Sequence, residues 1–548
     1  MTPSPSPSLS PGALAASAAA WPLTLPVDPR PPQARPADGT PPHDEPGPAW
    51  TAERLRAFVR GAFPGERLMV LANREPVLHE RTAGGAIQVR QPTSGVVTAL
   101  EPLTLACGGV WVAHGSGSAD REVVDARDGI ALVRDGGSYR LRRLWLSAEE
   151  ERGYYAGFAN DGLWPLCHQA HVKPIFRRPD FETYQRVNRR FADAVCDEAE
   201  SLSPVILVQD YHFAFVPQAI RQRLPRATTV LFWHIPWPNR HRFAICPWRN
   251  ALLEGLLGSS VIGFQTATDA QNFLEAVQHC LEAHVDRETN TVTYNGRRVT
   301  VGTYPISIEW PAHLTAQAPP IADCRRQVRQ RLGLRDDTLL AVGVDRLDYT
   351  KGLEEKLLGV EQLLARRPSL RGRFVLAQVA PVSRGELQSY RDTATRVREA
   401  AQHVNARFGD GTWRPVELIE EAWSPAEVFT LMRAADACCV TSLHDGMNLV
   451  AKEFVAARDD AQGVLVVSTF AGAARELPDA LVVNPYDAHA VADALERAIA
   501  MPAAEQRTRM VRMREVVGHH NAYRWAGRML KDARLQRLEE ARAAWRDG

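Results

Sequence analysis

The sequence has almost no net charge: 65 lysines and arginines stand against 64 aspartates and glutamates, leaving +1 over 548 residues. A bulk electrostatic grip on nucleic acid or on a membrane surface is thereby excluded, and any anion site must be local. Cysteine is scarce too. The eight present (Cys107, Cys167, Cys196, Cys246, Cys280, Cys324, Cys438 and Cys439) form no CxxC pair, and reduced, buried thiols of a cytosolic, cytoplasmic protein are expected. No uninterrupted apolar run reaches the length of a membrane span. No GxGxxG follows the first expected strand, which removes a dinucleotide-dependent dehydrogenase.

Proline is abundant only at the start, where 14 of the 38 fall in residues 1 to 50 among Ala, Ser and Gly. Such a composition buries too little apolar surface to offset its ordering entropy, so residues 1–48 are expected to form a disordered tail. The alanine-rich Ala13 to Ala20 lacks a basic flank, the first positive side chain being Arg30, and makes a poor secretory signal. The remaining length is too great for one ordinary core. Hydrophobic residues at 45% and charged residues at 24% are those of a soluble globular protein.

From Thr51 onward, short apolar strands alternate with helical periodicity: Arg67 to Asn73, Val205 to Val208, Thr229 to Phe232 and Val261 to Phe264. This is a doubly wound, mostly parallel α/β pattern. A polar segment rich in Ala and Pro, Pro311 to Ala322, reads as a linker. A second α/β series then runs through Thr338 to Val344, Arg373 to Gln378, Ala437 to Thr441, Val464 to Ser468 and Ala480 to Val483. The expected architecture is a Rossmann-like domain over residues 49–315, a second over 316–520, and a C-terminal helix over 521–548 crossing back to the first. That helix is read as part of one long charged helix from about Ala503.

The most informative stretch is His444-Asp445-Gly446-Met447-Asn448-Leu449-Val450-Ala451-Lys452-Glu453, a strand-to-helix turn. The first N–H groups of such a helix, expected from Met447, Asn448 and Leu449, have no intrahelical partner and carry the positive end of the dipole, which suits a phosphate. Leu449 and Glu453 are four apart and share a face, so a carboxylate for two ribose hydroxyls points at the same ligand. The earlier turn Asp345-Arg346-Leu347-Asp348-Tyr349-Thr350-Lys351-Gly352 adds two cations, one a planar fork and one a point charge, that match a diphosphate. Arg74, Asp210 with His212, and His234 close strands of the first series, where open α/β sheets bind ligands. Pro236 holds Ile235 extended and so presents His234 on a stiff turn. Ser94-Gly95 opens a loop whose backbone can approach a ligand closely. The aromatics Tyr154, Phe158 and Trp164 read as core.

With these motifs in place the chain resembles glycosyltransferase family 20, in its trehalose-phosphate branch, from about Arg67 to Trp525. Val344 to Gly352 and Asp445 to Glu453 carry the resemblance most strongly. Asn73-Arg74, Tyr154-Tyr155, Leu163-Trp164-Pro165, Asp210-Tyr211-His212, His234-Ile235-Pro236, Pro381 to Gly385 and Asn484-Pro485 agree with it. The resemblance implies a GT-B fold, two Rossmann-like domains facing a cleft. It implies retaining transfer of glucose from a nucleotide-glucose donor to glucose 6-phosphate, giving α,α-trehalose 6-phosphate. By the same resemblance Arg346, Lys351 and the Leu449 amide hold the donor diphosphate, Glu453 the ribose, and Asp445, His234, Gly446, Met447 and Asn448 the donor glucose. Gly95 lies near the donor phosphates. Arg74, Tyr155, Trp164 and Arg384 grip the acceptor phosphate, with Asp210 on the acceptor sugar. Arg346, Lys351, His234 and Asp445 are the expected catalytic set.

No metal and no cofactor is expected, nor a nucleic-acid or membrane partner, while a homo-oligomer stays open, as does the donor base (UDP, GDP or ADP). Three departures from the family pattern stand at Ser94 (usually Gly), His114 (usually Trp) and Ser307 within Tyr304 to Glu309. The competing readings are a glucosylglycerol-phosphate synthase using glycerol 3-phosphate, a glycosidase pairing Asp210 with Asp445, and a non-catalytic sugar-phosphate sensor. The glycosidase leaves Arg346, Lys351 and Glu453 without a role.

Overall fold

The computed structural model describes residues 49–547 except 92–94 and 135. The expected tail over 1–48 and Ser94 lie outside the described residues.

Two sheets organise the chain. The first has ten strands in the order His284–Asp286, Thr291–Tyr294, Arg297–Thr303, Val261–Phe264, Thr228–Trp233, Val205–Gln209, Leu68–Leu71, Val110–His114, Gly137–Leu144 and Gly129–Arg134. The seven from Arg297–Thr303 to Gly137–Leu144 are parallel, and the outer strands join them antiparallel. The second has six parallel strands in the order Val416–Ile419, Phe374–Val379, Leu339–Val344, Ala437–Val440, Val464–Ser468 and Leu481–Val483. Central strands such as Leu68–Leu71, Val205–Gln209, Thr228–Trp233 and Ala437–Val440 are buried at every residue, as helices on both faces require.

In both sheets the chain starts in the middle, builds toward one edge, then returns and builds toward the other. The reversal falls between Leu68–Leu71 and Val205–Gln209 in the first sheet, and between Leu339–Val344 and Ala437–Val440 in the second. At such a point the connections leave in opposite directions and open a crevice at the carboxyl ends of the strands. Arg74 and Asp210 follow the first pair. Arg346 and Asp445 follow the second.

Local chemistry accounts for the element ends. Thr51 caps the helix Ala52–Ala62 by accepting from the Arg54 amide at 3.2 Å. Leu353, Leu357, Val360 and Leu364 form the buried stripe of the helix Leu353–Arg366.

Several expectations are corrected. The Pro311 to Ala322 segment is not an open linker: it carries the helix His313–Gln317 and the start of Ile321–Leu332, with Leu314 and Ala318 packed on the core. The run after Gly95 is the helix Gly95–Cys107 rather than a loop. The long C-terminal helix is two, Ala503–His519 and Ala522–Asp547. Asn521 breaks it by accepting from the Arg524 amide and donating to the Trp50 and Gly518 carbonyls, while the Ala522 amide donates to Ile308. The second helix lies along the first sheet: Trp525 packs on Phe232 with ring centroids 5.0 Å apart, and Tyr304 donates to Asp532 at 2.6 Å. Among the described residues no helix is long and apolar enough to cross a membrane, and all eight cysteines are free.

Candidate active site

The crest of the second sheet is stitched into one surface. Gly352 has φ +62°, and a Cβ there would stand 2.1 Å from the Thr441 carbonyl, so the Lys351 turn runs against the strand end that precedes Asp445. The Thr441 hydroxyl donates to the Gly352 carbonyl at 3.0 Å, and the Leu443 amide to Thr350 at 2.8 Å. Lys351 Nζ thereby reaches Asp445 Oδ2 at 2.5 Å, where Asn448 Nδ2 and Ser442 Oγ also donate, at 3.2 and 3.3 Å. Burial pushes the Asp445 carboxyl up most strongly, but the charge and hydrogen bond of Lys351, with His168 and Asn448, together hold its pKa below the usual value.

The helix after Asp445 is Leu449–Ala457, with Asn448 left-handed at φ +70° as its cap. Its unpaired N–H groups therefore begin at Leu449 rather than at Met447, since a left-handed residue cannot continue the turn. Met447 is buried and uses its carbonyl to accept from Ala473. Glu453, one turn further, is half-buried, and burial raises its carboxyl to about 7.

On the first sheet, Asp210 sits at φ +79° and accepts from the Tyr211 amide at 2.9 Å and the His234 amide at 3.2 Å. Burial raises Asp210 to about 7 against the pull of those two amides. His234 Nε2 lies 2.8 Å from Gln209 Oε1, and burial lowers the ring to about 3, leaving a neutral imidazole. Arg74 is exposed at the rim of a cavity of about 120 Å³ lined also by His114, Ser116 and Tyr155.

Tyr155 and Trp164 owe their placement to a π-helix, Arg152–Leu163, which runs into the helix Trp164–Cys167. Tyr154 turns into the core and donates to Asn73 at 2.9 Å, while Tyr155 stacks on His212 with ring centroids 5.7 Å apart. Trp164 is buried, as expected of core, but its face carries the Arg384 guanidinium at 4.2 Å and that of Arg346 at 5.7 Å. Burial would raise the Tyr155 hydroxyl, yet Arg384 and Arg74 bring it down to about 8.

The two crests touch. Arg384, from the second sheet, donates to the hydroxyl of Tyr211 at 3.1 Å on the first and also to Tyr390. A Cβ on Gly446 would stand 2.2 Å from the His234 carbonyl, and one on Gly95 would stand 3.2 Å from Leu449. The Gln169 amide donates to His444 Nδ1 at 3.1 Å. The arrangement thus joins Lys351 and Asn448 at Asp445, sets Gly446 against His234, lays Arg384 and Arg346 on Trp164, and brings Arg346, Arg384 and Lys351 together around Asp348. Among the described residues, buried side-chain atoms without a partner include Trp164 Nε1, Gln209 Nε2 and Arg384 Nε. Three N–H donors orphaned around one crevice suit a ligand rich in anionic oxygen.

Sequence reasoning quoted Tyr211 within a motif but gave it no role, and did not single out Tyr390, which with Tyr211 holds Arg384, or Gln265, which follows Val261–Phe264 and bridges His234 and Ile306. For Gln265 the strand-end position was a usable signal. Tyr390 lies in the first turn of the helix Gln388–Phe408 and carries none.

The family model of Glycosyltransferase family 20 matches residues 66–535. The chain belongs to that family. It is 39% identical over 479 residues to the trehalose-6-phosphate synthase of Mycobacterium avium (strain 104), spanning 86% of this chain and 96% of the relative. It is 38% identical over 467 residues to that of Mycolicibacterium smegmatis (strain ATCC 700084 / mc(2)155), spanning 84% and 90%. Among solved structures it resembles trehalose-6-phosphate from E. coli bound with UDP-2-fluoro glucose, with TM-score 0.74 and 32% identity over 86% of this chain and 99% of that one. It also resembles an alpha,alpha-trehalose-phosphate synthase (UDP-forming) from Burkholderia xenovorans in complex with glucose-6-phosphate, with TM-score 0.75 and 30% identity over 85% and 99%. The two doubly wound sheets of this family 20 chain, crest to crest, are the GT-B arrangement.

Proposed function

We propose that this chain transfers glucose from UDP-glucose to the anomeric hydroxyl of glucose 6-phosphate with retention, giving α,α-trehalose 6-phosphate. One observation carries the reading: Arg346 and Lys351 stand at the switch point of one sheet while Arg74 and Asp210 stand at that of the other. A donor diphosphate and an acceptor phosphate each have cations waiting on opposite sides of one crevice.

In this reading Arg346, Lys351 and the Leu449 amide take the diphosphate and Glu453 the ribose. Asp445, His234 and the backbone of Gly446, Met447 and Asn448 take the glucose, with Gly95 closing over the phosphates. Arg74, Tyr155, Trp164 and Arg384 face the acceptor phosphate, and Asp210 the acceptor sugar. A covalent intermediate would need a carboxylate nucleophile beneath the donor carbon, and the family resemblance implies none there. Attack therefore proceeds on the face the diphosphate leaves, through an oxocarbenium-like state, and the departing phosphate oxygen takes the acceptor proton. Arg346 and Lys351 lower the barrier by stabilising the charge that grows on that oxygen. Eight free cysteines fit a reducing cytoplasm.

The test offers UDP-, GDP- and ADP-glucose against glucose 6-phosphate and, separately, glycerol 3-phosphate. UDP-glucose with glucose 6-phosphate is expected to give the disaccharide phosphate fastest. Preference for glycerol 3-phosphate, or release of free glucose alone, overturns the reading.

A further inference from the structure

Arg384 and Arg346 are like charges brought to one place. Both approach a single oxygen: Asp348 Oδ2 lies 3.5 Å from Arg346 Nη2 and 3.7 Å from Arg384 Nη1, and the Tyr390 hydroxyl donates to it at 3.4 Å. The Asp348 side chain is fully buried, and its other oxygen is fixed by the Thr350 amide at 3.1 Å and the Thr350 hydroxyl at 3.0 Å. A carboxylate so aimed cannot turn away from the two guanidinium groups. Burial alone would raise its pKa, but Arg346, Arg384 and Lys351 hold it low, so it is ionised.

The two arginines differ in what else restrains them. Arg384 is 4% exposed, lies on Trp164 and donates to the hydroxyls of Tyr211 and Tyr390. Arg346 is 34% exposed and, among the described residues, has besides the Asp348 ion pair only a ring contact with Trp164 at 5.7 Å and no hydrogen bond to a side chain. Without the shared carboxylate, repulsion would act on a caged arginine and a loosely held one, and the loosely held one would move.

We infer that Asp348 is a positioning residue: its carboxylate holds Arg346 beside Arg384 and so sets where the donor diphosphate sits relative to the acceptor phosphate. This deepens the proposed function and rests on it. Asp348 need not touch either substrate. Its effect is expected in turnover and donor binding, and not in acceptor binding, because Arg384 has its own supports.

The experiment compares Asp348→Asn with the wild type, and makes the same substitution in an Arg346→Ala background. Asparagine keeps the shape and can still accept from the Thr350 amide. The expected result is a fall in kcat of about tenfold or more, a raised KM for UDP-glucose and a KM for glucose 6-phosphate within about threefold of wild type. In the Arg346→Ala background the same change should cost less than about threefold, since no guanidinium remains to be placed. A purely structural role would give equal losses in both backgrounds, and that result overturns the inference, as does a kcat near wild type. Should Asp348→Asn fail to fold, Thr350→Val removes one of the bonds that aim the carboxylate. It should show the same pattern at about two- to fivefold, again absent without Arg346; equal losses there are likewise fatal. If the wild type transfers no glucose to glucose 6-phosphate, it is the proposed function that fails.

Discussion

Replacing Glu453 with glutamine isolates what one half-buried carboxylate costs the empty protein. Burial raises its pKa from an ordinary 4.5 to about 7. A carboxyl raised in the folded state binds more protons there than in the unfolded chain between those two values, so stability falls as pH climbs from 4.5 to 7 and is level above. At about 1.4 kcal/mol per unit the shift corresponds to at most about 3 kcal/mol, and solvent screening of a half-buried group reduces that to about 1–2 kcal/mol. For a chain of this length the unfolding entropy is of order 1 kcal/mol per degree, so the melting midpoint should move by about 1–2 °C. Ligand-free Glu453→Gln is therefore expected to melt about 1–2 °C above wild type at pH 8 and level with it at pH 4.5, by calorimetry in matched buffers. Asp210 and Glu75, also raised to about 7 by burial, slope the same way in both proteins and cancel in the difference. UDP affinity should show the opposite trend: rising with pH through about 7 in wild type as the carboxylate forms for the ribose, lower and flat in the variant. A pH-independent gap in melting, or a variant less stable at pH 8, would refute the reasoning.

Lys351→Ala should lower turnover with UDP-glucose and glucose 6-phosphate by on the order of a hundredfold or more, and destabilise the empty protein by up to about 3 kcal/mol, because Asp445 is left buried with only Ser442 and Asn448 as donors. A turnover near normal would remove the charge-stabilisation mechanism. Gly446→Ala forces a methyl 2.2 Å from the His234 carbonyl, so the crests must part; a loss of activity of at least tenfold with folding preserved is expected, and unchanged kinetics would mean the contact is not kept during catalysis. Arg74→Ala should raise KM for glucose 6-phosphate about tenfold while leaving UDP affinity unchanged, since Arg74 lies at the opposite rim. Equal effects on both ligands would contradict that placement.

The sequence carried the alternation of strands and helices, and with it the candidate positions at strand ends, because a fully buried parallel strand reads as an apolar run and the turn that follows reads as polar. It offered Arg346 and Lys351 as candidates for a diphosphate because both lie within one short turn. The cage around Arg384 is different: Trp164, Tyr211 and Tyr390 come from three distant segments, and only the packing of one sheet on the other brings their rings to one guanidinium. The π-helix hid as well, since an aromatic stripe read at 3.6 residues per turn sends Trp164 to the core alone, whereas the wider turn leaves its face for arginine. At Asn448 the helix start slipped by two residues because a left-handed cap is a property of backbone angles, and the residue type only permits it.

Net charge and local charge are reconciled at the crevice. Lys351 is paired with Asp445, while Arg346 and Arg384 share Asp348, so these three cations proposed for two highly anionic substrates leave a single uncompensated positive charge at the crevice. Such pairing has a mechanistic use. A guanidinium without a counter-charge keeps its proton but has no fixed orientation, whereas one held by a carboxylate already has the orientation a phosphate needs. An incoming diphosphate then meets cations that Asp348 and Asp445 already hold in place, and little reorganisation remains for the moment when charge develops on the leaving oxygen. Arg74, exposed at the rim, has no recorded carboxylate partner among the described residues. In the proposed reading it meets the acceptor phosphate at the exposed rim, and Arg384, buried against Trp164, meets it inside.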